Sequence, residues 1–247
     1  MVANELLGFA LGIVCALVLA VFFLLGDIVG LVVETRLTRR WEIMSERMGL
    51  AFDGGTEPCR SLSELLVPKL TGPGVEQSAF CYGESLRSLQ GSIGHAALRI
   101  HDFAVWNFHI RGPLVFRAIV CVVETDRAAP NGECTVVCRS SVLADGFRRS
   151  PDLSPCEFPE EPEFSDAYVA FAKRFAPPWV ISDEIRRFCV ANRGRIDCLT
   201  VRSRDAVLCW AGRNPEGFPA LVKLATALVA TLQDDHPPRA GGRKNRA

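Results

Sequence analysis

The stretch Leu6–Gly26 carries no charge and no strongly polar side chain, and no other segment narrows the possible folds of this chain so severely. Its 21 residues match the roughly 20 needed to cross about 30 Å of hydrocarbon at 1.5 Å per residue. A core helix of a soluble protein keeps a polar face over such a length, and this one has none. Apolar character resumes after Asp27 with Ile28–Val33. Asp27 is then placed at the membrane interface, or a tilted span takes in all of Leu6–Val33 with Asp27 facing a second copy. A cleaved secretory signal fits less well, because Met1–Glu5 holds no Lys or Arg and the apolar run is too long for one.

Basic residues set the expected orientation. None precedes the span, whereas Arg36, Arg39, Arg40 and Arg47 follow it closely. The positive-inside rule therefore predicts a single-pass protein with its N-terminus outside and its soluble domain in the cytoplasm. The expected domains are an anchor at 1–35, a soluble domain at 36–233 and a disordered basic tail at 234–247. The tail holds Arg239, Arg243, Lys244 and Arg246. With 28 basic and 28 acidic residues and no net charge, the chain has no overall field to recruit nucleic acid, which is excluded as a partner.

The 10 cysteines are too sparse for a small disulfide scaffold. Several lie inside apolar runs such as Ile119-Val120-Cys121-Val122-Val123, where cysteine acts as a small hydrophobe. Reduced, buried thiols on a cytosolic face are the expectation.

Leu37, Trp41, Met44 and Met48 recur at helical spacing, so residues 36–48 read as an amphipathic helix continuing from the span, with Gly49 as its stop. Trp41 fits an interfacial anchor and a core contact equally. A short strand is expected at Leu50–Phe52, a loop at Asp53–Cys59 and one or two helical turns at Leu62–Leu70. From Ala96 the chain alternates. Leu98, Ile100, Ala104, Trp106 and Phe108 fall on one strand face, and Arg99, His101, Asn107 and His109 on the other. Gly91 and Gly94 close a hairpin before this strand. Val115–Glu124 is apolar on both faces and is expected to be central. With Cys134–Arg139 following the turn Ala129-Pro130-Asn131-Gly132, these segments suggest three consecutive strands in a meander.

Residues 140–166 read as a proline-rich acidic loop, since Pro151, Pro155, Pro159 and Pro162 forbid a long helix. Order returns at Tyr168–Phe175. Ser182 is a helix cap with Asp183 and Glu184 in the first turn, and Asn192-Arg193-Gly194 ends that helix. Arg195–Val201 and Ala206–Ala211 make a hairpin that sets Cys198 opposite Cys209. Asn214-Pro215 opens the last helix, whose buried stripe is Leu221, Leu224, Ala225, Leu228 and Leu232. The expected class is α+β: an N-terminal transmembrane helix followed by an antiparallel sheet with helices packed on one side.

Candidate chemistry is thin. Cys134 and Cys138 share a strand face about 13 Å apart, too far for a mutual disulfide or a shared metal. Cys198 and Cys209 are a candidate disulfide if the domain faces outward, and two packed thiols if it faces the cytoplasm. Arg99, His101 and His109 form a candidate polar strand face, but His101 and His109 stand too far apart to share a metal. Asp102 falls on the apolar face, where a carboxylate needs partners; a strand end or a turn is the expected source. Phosphate-binding, dinucleotide and nucleophile-elbow motifs are absent from the sequence. No catalytic set, cofactor or metal is called for.

The text Arg40-Trp41 followed by Gly49-Leu50-Ala51-Phe52, then Gly94 leading to Asp102-Phe103, resembles a diffuse group of uncharacterised bacterial membrane-anchored proteins with one N-terminal span and a soluble α+β domain. Tyr168–Leu232 resembles that group's later sheet and final helix. The many cysteines and the acidic loop depart from it, and the resemblance implies a layout without an activity. The leading expectation is a membrane-tethered domain that binds a protein or a lipid surface, with the bilayer as its first partner and a homo-oligomer left open. An enzyme working through the face around His101, and an outward-facing structural protein stapled through Cys198 and Cys209, are the alternatives.

Overall fold

A computed structural model describes residues 2–59, 62, 65–66, 81–107, 114–124, 133–174, 176, 181–202, 205–210 and 214–234. The chain divides into two compact units, Met1–Ile43 and Met44–Ala247. Helix α1 (Val2–Met48) occupies the first and runs unbroken through residue 35. Its 47 residues span about 70 Å at 1.5 Å per residue. Its Val18–Met48 portion is long and apolar enough to cross a membrane by length and composition. Trp41 and Met44 are buried. Gly49 ends the helix in the left-handed region at φ 65°, while Leu50 N–H donates to Ser45 O at 3.0 Å.

In the second unit the strands are β1 (Ala51–Asp53), β2 (Glu57–Pro58), β3 (Cys81–Ile93), β4 (Ala96–Asn107), β5 (Leu114–Glu124), β6 (Cys134–Cys138), β7 (Leu153–Cys156), β8 (Tyr168–Lys173), β9 (Ile196–Val201) and β10 (Asp205–Trp210). The helices are α2 (Leu143–Arg148), α3 (Pro162–Ala167), α4 (Asp183–Ala191) and α5 (Phe218–Asp234). Among the described residues the 10 strands form one sheet in the order β1-β3-β4-β5-β10-β9-β6-β8-β7, with β2 paired to β3. Every described pairing is antiparallel.

The meander is real but consists of β3, β4 and β5. Cys134–Cys138 does not lie beside β5, because the β9–β10 hairpin is inserted between them. Both strands of that hairpin are buried along nearly their whole length, so each needs a paired neighbour on either side; the sheet centre supplies both. Pro155 lies on β7, which pairs with β8 alone, at an edge where its missing N–H costs no ladder bond.

Side chains from six strands line up across one face: Ile100, Cys121, Leu208, Leu199, Val136 and Ala170 are successive register partners. Tyr168 projects on this side and its hydroxyl donates to Cys189 O on α4 at 3.1 Å, while α4 packs on α5 and α5 on β5. Helices α4 and α5 therefore belong to this layer. The opposite face carries a second core, in which Leu62, Leu65, Leu66 and the α2 residues Leu143 and Phe147 meet Phe103, Val120 and Phe171. The loop predicted at 140–166 thus holds two short helices and an edge strand, and no long helix forms there.

Local signals explain the α4 and α5 boundaries. Ser182 Oγ accepts from Ile185 N–H at 3.3 Å, and Gly194 at φ 80° follows the end of α4. Asn214 Oδ1 accepts from Glu216 N–H at 3.1 Å, but a single 3₁₀ turn at Pro215–Gly217 precedes α5. Residues 235–247 lie outside the described residues.

Candidate functional site

The expected polar face of β4 is interrupted. Phe103 and Val105 share it with Arg99 and His101 and are fully buried in the second core. Arg99 is exposed and lies 3.6 Å from Glu124. His109 falls outside the described residues.

The partner of His101 is Ser85 on β3, with Nδ1 and Oγ 3.1 Å apart. Ser85 Oγ donates its one proton to Arg87 O at 2.9 Å. The histidine must then donate through Nδ1–H, which fixes the tautomer. Burial, with Arg99 adding to it, pulls the His101 pKa down from 6.5 to about 4. The ring is neutral at pH 7.

The sign of the pH effect follows. Between about pH 6.5 and 4 the unfolded chain binds a proton that the folded one refuses, so stability falls on acidification through that window. Glu161, held low by the Arg186 hydrogen bonds, adds a further loss below the ordinary carboxylate range. Replacement by glutamine (His101→Gln) is expected to flatten the dependence of the urea midpoint between pH 6.5 and 5. An unchanged slope in the variant would assign the effect elsewhere.

The most heavily charged interior locus is centred on Asp102, which is 2% exposed. It sits mid-strand and not at a strand end or turn, and its partners are arginines on both neighbouring strands. Arg117 on β5 approaches side-on, Nε donating to Oδ1 at 2.8 Å and Nη2 to Oδ2 at 2.6 Å. Arg87 on β3 donates through Nη1 to Oδ2 at 2.5 Å.

Local backbone explains both contacts. Arg117 pairs with Ala104, one same-face step diagonal from Asp102. Arg87 reaches the site through a β-bulge: Ser85 opposes Phe103 and Ser88 opposes His101, so Leu86 and Arg87 together face Asp102. Without the extra residue, alternation would send Arg87 to the His101 side. The sequence reading missed both arginines; the visible signal was Arg117, a lone charge inside an otherwise apolar strand.

A second arginine organises the acidic loop. Arg186 on α4 is 6% exposed. It donates through Nε to both Glu161 oxygens at 2.9 Å, through Nη2 to Asp183, and through Nη1 to Ile181 O, and its guanidinium lies 4.2 Å above Phe158. The loop is thereby strapped onto α4. An open cleft of about 640 Å³ remains between α3 and α4, with Phe164 and Val190 among its apolar lining and Glu163, Asp183 and Arg187 on its rim.

Cys59, Cys121, Cys134, Cys138, Cys156, Cys189, Cys198 and Cys209 are free thiols. Cys209 faces Cys198 in the register, and hydrogen bonding to Cys198 together with burial holds its thiol well above the usual range. Burial pushes Cys121 up to about 12. Raised so far, Cys121 and Cys209 stay protonated near neutral pH and are poor nucleophiles there. Among the described residues, no three His, Cys, Asp or Glu side chains group closely enough to hold a metal ion.

No known protein family and no curated protein matches the chain. Its fold is similar to the crystal structure of the mycobacterial trehalose monomycolate transport factor A, TtfA, with a TM-score of 0.53 over 83% of this chain and 98% of that chain, at 11% sequence identity. At that identity the likeness is one of fold alone.

Proposed function

We propose that this chain is a single-pass membrane protein whose cytosolic domain is a non-catalytic module, binding a protein or a lipid surface in support of lipid handling at the bilayer. The carrying observation is α1, whose apolar side chains stand open: Phe22 is 70% exposed, Phe23 74% and Leu31 70%. Such a surface is stable in lipid and costly in water. The arginines at 36, 39, 40 and 47 favour a cytoplasmic domain. The likeness to a protein named for trehalose monomycolate transport, an acylated sugar by that name, supports the lipid side of this reading. The charged interior groups support a binding role over catalysis, because they are engaged with one another: Asp102 with Arg87 and Arg117, Arg186 with Glu161.

The test pairs fractionation with topology. Full-length protein should stay in the membrane pellet through alkaline carbonate, come out with detergent, and show a C-terminal reporter active in the cytoplasm. Each arginine at a span centre costs about 2.5–3.5 kcal/mol of insertion, so Leu19→Arg with Phe22→Arg should move most of the protein out of the pellet. Dispersal of the wild type without detergent, or a reporter active only across the membrane, would overturn the proposal. Lipid or protein recovered in stoichiometric amounts with the detergent-extracted chain separates the two kinds of surface.

A further inference from the structure

We propose that the α3–α4 cleft is the docking groove for the chain's own basic segment Arg239–Arg246. On α4 the cleft is lined at Asp183, Arg187, Val190 and Ala191. That is the i, i+4, i+7, i+8 pattern of one helix face. Phe164 and Pro162 face it from α3, giving an apolar floor.

The rim has the opposite character. Three carboxylates line it, Glu161, Glu163 and Asp183, with Arg187 beside them and Arg186 bonded to Glu161 and Asp183 from α4. One negative charge is left over among these groups, and Glu163, which is exposed, has no ion-pair partner among the described residues. An anionic lipid head group is disfavoured by this rim, whereas an extended basic segment satisfies it.

The segment that fits is the one following α5. Arg239, Arg243, Lys244 and Arg246 give it four cations against one acid, Asp235. It leaves from Asp234 at the end of α5, and α5 packs on α4, which forms one wall of the cleft. Ten extended residues from Asp234 to Lys244 reach about 33 Å, about three quarters of the roughly 43 Å diameter expected of a domain of this size.

Zero-length carbodiimide coupling on the full-length protein in detergent tests the idea, because Lys244 is the one lysine beyond α5. A Glu163–Lys244 link is expected by mass spectrometry. The ion pair of Lys173 with Glu133, 3.2 Å apart, provides an internal control for the reagent. Arg243→Gln with Arg246→Gln leaves both coupled groups in place and should lower the yield at least about fivefold, as should 0.5 M salt, where the Debye length shrinks to about 4 Å.

Three results would overturn the proposal. One is the control link forming without Glu163–Lys244. Another is a yield indifferent to the double substitution. The third is coupling confined to pairs of differently isotope-labelled copies.

Discussion

Replacing Asp102 by alanine is expected to destabilise the second unit by about 3–5 kcal/mol, the usual cost of removing one partner from a buried ion pair. The reason is the burial of what stays behind. Arg87 has 5% of its side chain exposed and Arg117 19%. Losing the carboxylate leaves two positive charges close together on one face of the sheet. The triad's net contribution is a separate quantity, since its favourable attraction is set against three desolvation penalties. Exchanging all three for apolar residues, Arg87→Met, Asp102→Leu and Arg117→Met, is accordingly expected to be neutral or stabilising by about 1–4 kcal/mol. Urea midpoints read by tryptophan fluorescence for the two constructions decide the matter. A loss under about 1 kcal/mol in Asp102→Ala would mean that the arginines find water or other acceptors, and that the triad is not closed off as described.

The second large effect is expected at Phe171. It is fully buried on the face opposite α4, and its ring stacks on Phe147 with centroids 5.9 Å apart. Phe171→Ala is expected to cost about 3–5 kcal/mol, the sum of lost transfer free energy and an unfilled cavity. The damage should be directional. Helix α2 is six residues long and offers few interactions of its own, so it depends on this contact for its place on the sheet. Amide exchange in residues 143–148 should therefore accelerate more than in α4, which rests on the other layer. A cycle with Phe147→Ala should return a coupling of about 0.5–1.5 kcal/mol for the ring pair. Equal acceleration in both helices would show that the two cores are not separable.

What was legible in the sequence was local. Ser182, Asn214, Gly49 and Gly94 mark turns and caps through their own side chains or their own backbone freedom, and each does so in the structure. The β9–β10 hairpin was legible because its register follows from a short turn, which sets Cys198 against Cys209. Strand β3 was not drawn out. Gly83, Ser85, Ser88, Gln90 and Gly91 interrupt its pattern, and its coherence comes from neighbours on both sides. Gly91 in particular is packed under Leu50: a Cβ there would come within 2.3 Å of the leucine. The partners of Asp102 were hidden for a related reason. Arg87 is brought over it by a bulge, and a bulge shifts the very alternation from which faces are read. The place of β6 was misjudged because sequence neighbours are usually spatial neighbours, a tendency that a later hairpin can override.

The insertion of β10 against β5 has a consequence for biosynthesis. Strand β5 ends at Glu124, and its partner begins only at Asp205, about eighty residues later. At roughly 5–20 residues per second, a ribosome needs about 4–16 s to deliver it. For that interval this apolar strand of the nascent chain has one unoccupied hydrogen-bonding edge. On the proposed reading of α1 as an anchor, early tethering to the bilayer would keep that edge from other copies at the moment when it is most adhesive.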